Sequence, residues 1–173
     1  MKVELNKVVA VGFKLFITNN VEKPQLVEEV DDTNPMYFLV GNSGLPPKFE
    51  FNLMGKSKGD TFNFSITSAE GFGNYDFNEI MNLPIDDFLD ADGKLDKQVF
   101  QVGRSIPMQD EHGHHVRGRI LEIKEFERYI RMDFNHPLAG KDLQFEGIVL
   151  SVREATKEEI SHGHVHGDGG HHH

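Results

Sequence analysis

A strand-rich α+β fold with one short helix is what this sequence predicts, and three observations carry the prediction. Short apolar runs alternate with polar residues at the period of two that buries one face of a strand. The clearest are Val9, Val11, Phe13 and Leu15 in KVVAVGFKLFI and Phe62, Phe64 and Ile66 in TFNFSI. Turn chemistry separates the runs at Asn19-Asn20, Asn42 to Pro47 and Gly59-Asp60. From Phe77 to Glu127 the character of the chain changes to polar loops and short strands.

Taken in order, Lys7 to Ile17 is the first strand, Gln25 to Val30 the second and Met36 to Gly41 a third apolar run closed by glycine. The double proline at 46 and 47 forbids a regular ladder. Lys48 to Met54 is the best candidate for a helix, with Phe49, Leu53 and Met54 on one face, although Phe49, Phe51 and Leu53 also fit a strand. Thr61 to Ile66 is a strand that runs into Glu70-Gly71-Phe72-Gly73-Asn74-Tyr75-Asp76. There, two glycines let the backbone bend and aim a ring inward. Further on, Asp76 to Met81 reads as a helical turn, Leu83 to Phe88 as a loop and Phe100 to Met108 as a strand. Gln109 to His115 reads as a hairpin tip, Val116 to Glu125 as the return strand, Glu127 to Asp133 as another strand and Leu143 to Arg153 as the last. Glu154 to Ile160 is polar and can end in a helix, and the segment after Ser161 is too rich in Gly and His to bury a core.

Composition narrows the function classes. The 173 residues can build one domain or two small ones, and 38% hydrophobic content with 14 Phe supplies a core. A net charge of −10 argues against a nucleic-acid partner, which needs a basic stripe, and against an anionic membrane. The absence of Cys removes disulfides and thiol catalysis and fits a reducing compartment. MKVELNKVVAVGFKLFI alternates and carries charges, unlike a signal peptide, so a soluble, cytoplasmic chain is expected. Ser and His show no pattern that marks a triad, and no Gly-rich phosphate loop follows a strand.

Five ordered landmarks carry a resemblance. They are Val8 to Ile17; Gly55-x3-Gly59-Asp60-x-Phe62; the aromatic loop Glu70 to Asp76; Asn135-His136-Pro137-Leu138-Ala139-Gly140-x2-Leu143-x-Phe145; and Arg153-Glu154-Ala155-Thr156 leading to His162-Gly163-His164-Val165-His166-Gly167. In this order and spacing the chain resembles the SlyD-type FKBP peptidyl-prolyl isomerases over almost its full length. The resemblance implies an FKBP-like antiparallel β half-barrel around a short helix, from residues 1–75 and 127–155. An inserted all-β domain, the insert-in-flap at 76–126, would hold unfolded chains, and 156–173 would be a flexible His-rich tail. It further implies prolyl cis-trans isomerisation of unfolded or proline-containing polypeptides by a monomeric chain.

The reaction needs no cofactor. Its barrier of ~20 kcal/mol reflects amide resonance, and an apolar pocket lowers it by removing water from the planar amide and fitting the twisted form. Carried over by position, the pocket would be lined by Phe13, Val27, Phe38, Leu45, Phe49, Phe72 and Phe145, with Met36 and Tyr37 at the rim. Read as residues alone, the same Phe side chains also fit plain core packing. Four departures from the family stand out. Phe13 and Phe72 replace tyrosines, Glu28 replaces an aspartate, and Pro46 replaces a residue whose N–H bonds a substrate carbonyl. Each lost hydrogen bond is worth about 0.5–1.5 kcal/mol, so activity below the family norm is expected, with a holdase chaperone as the alternative function.

In the inserted region, Ile80, Leu83, Phe88, Phe100, Val102, Ile106, Met108, Val116, Ile120 and Leu121 fit either a small core or an exposed patch in which Met108 adapts to varied clients. Alternate His162, His164 and His166 can converge on one cation, and imidazole suits Ni, Zn, Cu or Co. His171, His172 and His173 either continue that tail or are the remains of a purification tag. The family's His-rich tails imply nickel and, as a third function, delivery of metal to metalloenzyme maturation proteins. His112, His114 and His115 beside Asp110 and Glu111 read as a solvated hairpin tip.

Overall fold

The computed structural model describes residues 1–166. The chain divides into two units, Met1–Asn74 with the chain from Leu138 onward, and Tyr75–Pro137. Each is built on one antiparallel sheet, and helices are few, as an α+β reading expects.

The first unit contains β1 (Lys7–Ile17), β2 (Gln25–Val30), β3 (Met36–Leu39), α1 (Pro47–Leu53), β4 (Thr61–Ile66), β9 (Leu143–Glu154) and α2 (Lys157–His162). The sheet order is β2-β1-β9-β4, and β3 joins the same edge of β1 as β2. β2 pairs with Phe13–Ile17 and β3 with Val8–Val11, so β1 serves two partners in succession along one edge. β9 runs along its other edge from Lys7↔Glu154 to Ile17↔Leu143. Val9, Val11, Phe13 and Leu15 are buried as the alternation predicts, and Val8 and Ala10 are buried as well. Gly147 lies opposite both Phe13 and Phe62. A Cβ there would stand 2.2 Å from the Gly12 carbonyl oxygen and 2.5 Å from the Phe62 ring, so only glycine lets the three strands close around those rings.

Residues 47–53 settle as a helix. Phe49 and Leu53, four apart, are fully buried, while Phe51 is 77% exposed. A strand would have put all three on one face. Proline at 46 and 47 suits a helix start, because the first helical N–H groups have no intrahelical partner to lose. Met54, expected on the buried face, instead forms the C-cap and is about half exposed, because the helix ends at Leu53.

The second unit holds β5 (Ile80–Pro84), β6 (Ser105–Gln109), β7 (His115–Lys124) and β8 (Tyr129–Asp133) in the order β5-β8-β7-β6. Residues 127–137 fall in the second unit, where Tyr129–Asp133 is a strand of this sheet. Three local expectations need correction. The helical turn is shorter than 76–81, a 3-10 turn over Phe77–Glu79 capped by the Asp76 side chain. The stretch from Leu83 is no loop at first, since Ile80–Pro84 is a strand. Pro84 is tolerated there because β5 is an edge strand. The strand expected from Phe100 begins only at Ser105. Asp96 accepts the Gln98 N–H and starts a turn that takes Phe100 out of the ladder, and the Phe100 ring meets Phe88 edge-on at 5.4 Å.

The core of this unit is small. Ile85, Ile120, Ile130 and Met132 are buried, with Leu83, Phe88, Phe100, Ile106 and Met108 packed around them. Met108 packs against this core and remains partly exposed. The strongly exposed apolar side chains of this unit are Phe126 (95%), Phe77 (78%) and Val102 (65%). Among the described residues no helix is long and apolar enough to cross a membrane.

Candidate functional site

In the first unit α1 lies over the sheet and inserts Phe49 into a group of phenylalanines. Its ring centroid stands 5.0 Å from Phe145, 5.8 Å from Phe38 and Phe64, and 6.3 Å from Phe13 and Phe62, all near edge-to-face. That geometry places ring edges on ring faces and is favourable beyond the area buried. Phe13, Phe38, Phe49 and Phe145 are all buried in this core, and Leu45, Met36 and Phe72 pack against it partly exposed. The structure thus brings together six of the seven residues expected to line a pocket.

The seventh, Val27, stands apart. β2 is bulged there, with Leu15 opposite Glu28 and Phe16 opposite Leu26, so Val27 is the extra residue and is 40% exposed. Glu28 is also exposed. It lines a recess of about 380 Å³ with Glu29, Asp31, Asn34, Val30 and Met36. The last two also pack on the aromatic core, so the recess opens beside it. Tyr37 sits on β3, half-buried.

Several residues that hold this site carried no signal in the sequence pattern. Glu50 of α1 accepts N–H bonds from Gly41 (2.7 Å) and Ser43 (3.2 Å), pinning the loop that carries Leu45 and Pro46. The Leu45 N–H donates to Ser43 Oγ at 3.1 Å, and buried Pro46 has no N–H to offer. Lys48 Nζ donates to Glu70 Oε2 at 2.8 Å, tying the helix to the aromatic loop. That bond holds the Glu70 carboxyl below the usual glutamate range. The loop is also tied at its far side. The Gly140 N–H donates to the Gly73 carbonyl at 2.8 Å, and the Ser68 N–H donates to Asp142 Oδ1 at 2.8 Å. Asn19 then bridges Gly140 and Asp142 through its side chain. Phe72 is held at the edge of the aromatic core by a loop fastened at both ends.

The other candidate lies after β9. Arg153 Nη1 and Nη2 donate to the two carboxylate oxygens of Glu159 at 2.9 and 2.8 Å. Thr156 and Glu159 form a reciprocal capping box that starts α2, a spacing legible in the sequence as Thr-x-x-Glu. The helix ends at Gly163 in the left-handed conformation (φ 71°). The helix lies within the segment 156–173. His162, the last residue of α2, and His164 and His166 beyond it have their ligating nitrogens all within 4.8 Å of one another. His162 Nδ1 and His166 Nε2 are 3.0 Å apart. Among the described residues this is the group of three ligating side chains that converges. Three exposed imidazoles fit a divalent transition metal such as Ni, Cu, Zn or Co. His171, His172 and His173 lie outside the described residues. At the hairpin tip Asp110 instead accepts the His112 and His114 N–H groups as a turn, with His114 Nδ1 3.1 Å from its carboxylate.

The first unit is thus a sheet-rich α+β fold that carries an aromatic, apolar core with partly exposed Leu45, Met36 and Phe72 at its margin. No family model matches the chain. It is similar to the FKBP-type peptidyl-prolyl cis-trans isomerase SlyD of Yersinia pestis, 35% identical over 97% of this chain and 80% of the relative. The Haemophilus influenzae protein of the same name is 36% identical over 96% and 81%, and the Escherichia coli K12 protein 33% over 96% and 79%. The chain belongs to the SlyD family of FKBP-type peptidyl-prolyl cis-trans isomerases.

Proposed function

We propose that this chain catalyses cis-trans isomerisation of Xaa-Pro bonds in unfolded or proline-containing polypeptides and so assists their folding. The observation that carries the reading is the phenylalanine group built around Phe49, with Phe72, Leu45 and Met36 partly exposed at its margin. Such a surface takes a prolyl ring and strips water from the amide, which favours the twisted, less polar transition state. No proton transfer or cofactor enters. Phe13, Val27, Glu28, Phe38, Leu45, Pro46, Phe49, Phe72 and Phe145 are the residues assigned to substrate. In this reading the first unit is an FKBP-like half-barrel around α1, and Tyr75–Pro137 is the insert that holds clients.

Phe13 and Phe72 offer no hydroxyl, and Pro46 no N–H. Turnover is therefore expected below that of a site with all three donors. This favours a second reading in which client holding outweighs catalysis, with Phe126, Phe77 and Val102 supplying exposed apolar contacts. His162, His164 and His166 are assigned to bind nickel or a similar cation, which would also let the chain pass metal to maturation proteins. NMR-detected exchange of an Xaa-Pro peptide tests the enzyme reading. Catalysis that falls at least tenfold in Phe72→Ala supports it. No catalysis, together with binding of an unfolded chain that Phe126→Ser weakens, replaces it with the holdase.

A further inference from the structure

We propose that Glu159 is the positioning residue of the His162–His164–His166 cluster, holding three imidazoles at ligating distance through one buried carboxylate. The proposal rests on the metal-binding reading of that cluster and adds what organises it.

Alternate residues of an extended chain stand about 6.6–6.8 Å apart, which spreads their side chains along the strand. Here the ligating nitrogens lie within 4.8 Å, so the backbone is curled. Gly163 supplies the bend, and its N–H donates to the Glu159 carbonyl at 2.8 Å. The bend alone does not fix where His166 returns. That is done by the His166 N–H, which donates to Glu159 Oε1 at 2.9 Å. The same oxygen accepts Arg153 Nη2, and Oε2 accepts Arg153 Nη1 and the Thr156 N–H at 2.9 Å. Four donors from the end of β9, the cap of α2 and the histidine loop thus meet on one side chain that is 1% exposed. A carboxylate so buried is stable only with its partners in place, so the three segments are fixed together. His162 is the last residue of α2 and His166 is bonded to the third, so one residue sets the separation of the two ends of the cluster. A divalent transition metal then meets ligands already gathered, and its binding does not bear the cost of ordering the loop.

The test uses the full chain with His171→Ala, His172→Ala and His173→Ala, so that copper(II) reports on the cluster. Calorimetry gives the dissociation constant, and electron paramagnetic resonance gives the number of equatorial nitrogens. Glu159→Ala is expected to weaken copper binding at least tenfold and to reduce the bound nitrogens from three, in line with the effect of losing groups that orient metal ligands. Glu159→Gln, which keeps an acceptor for the His166 N–H, is expected to recover part of the affinity. Ser161→Gly loosens the helix without touching Glu159 and is expected to change affinity less than threefold. Unchanged copper affinity and spectrum in Glu159→Ala overturn the positioning role. So does a loss in Ser161→Gly as large as in Glu159→Ala, since helix order alone would then be responsible. If His162→Ala, His164→Ala and His166→Ala together leave binding intact, the metal reading falls and this proposal with it.

Discussion

Phe49 and Ile120 are both completely buried, but what surrounds them differs. Phe49 is ringed by five other phenylalanines in a core that buries fifteen apolar side chains among the described residues. Ile120 shares its core with three others, and its unit leaves Phe126, Phe77 and Val102 facing water. A deep core fixes the positions of the rings at its margin, as a shaped pocket requires. A thin one spends less apolar surface inside and has more to offer a disordered client. The same chain therefore presents one deep aromatic core and one thin core with large apolar side chains left exposed, the division that the proposed pairing of catalysis with client holding calls for.

The comparison can be broken by mutation. Phe49→Ala carries the largest expected effect, a destabilisation of about 3–5 kcal/mol confined to the first unit. Urea unfolding followed by amide NMR should show the β1 and β9 resonances shifting to lower urea while those of β7 and β8 hold. Ile130→Ala should reverse the pattern at a cost of about 2–5 kcal/mol, and from a core of four that is enough to unfold the second unit at modest urea. If both substitutions move both units equally, the two do not behave as separate cores. Pro46→Val is smaller and sharpens the comparison at the pocket. Returning an N–H to that position is expected to raise isomerisation about three- to tenfold with client holding unchanged, read by the same peptide exchange.

The smallest effect concerns pH. Burial alone would raise the Asp133 carboxyl, but bonds from Asn135 and Tyr75, with Arg119 nearby, hold it below its ordinary 3.8. A carboxyl depressed in the native state stabilises fully above that value and progressively less as pH falls below it. Asp133→Asn should therefore flatten the acid dependence of hydrogen exchange in β7 and β8 between pH 5 and 3. An unchanged slope would show that this carboxylate does not contribute.

What the sequence made legible was local. The alternations in β1 and β4 are contiguous patterns, and each describes its own strand. The capping box at Thr156 and Glu159 is equally local and was there to be read. The edge position that tolerates Pro84 depends on which strands pair, which no window of residues contains. The fastening of the aromatic loop depends on Asn19 meeting Gly140 and Asp142 across more than a hundred residues. Gly147 looks like any strand glycine until Phe13 and Phe62 are seen to fill the space its side chain would need. The phenylalanines of the candidate site could be listed from the family resemblance, but their ring geometry, and the exposure of Val27 on a bulge, belong to the fold.

The place of β9 in the first sheet has a consequence for synthesis. β9 lies between β1 and β4, and it is made last of the strands. A growing chain that has passed Pro137 holds every strand of the second sheet, whereas the first sheet still lacks its middle. The second unit is thus expected to be able to complete its sheet while β1 to β4 still await their partner. Arrested ribosome complexes in which a C-terminal linker leaves residues up to 137, or up to 154, outside the exit tunnel would show this as amide protection in β7 and β8 that precedes protection in β1.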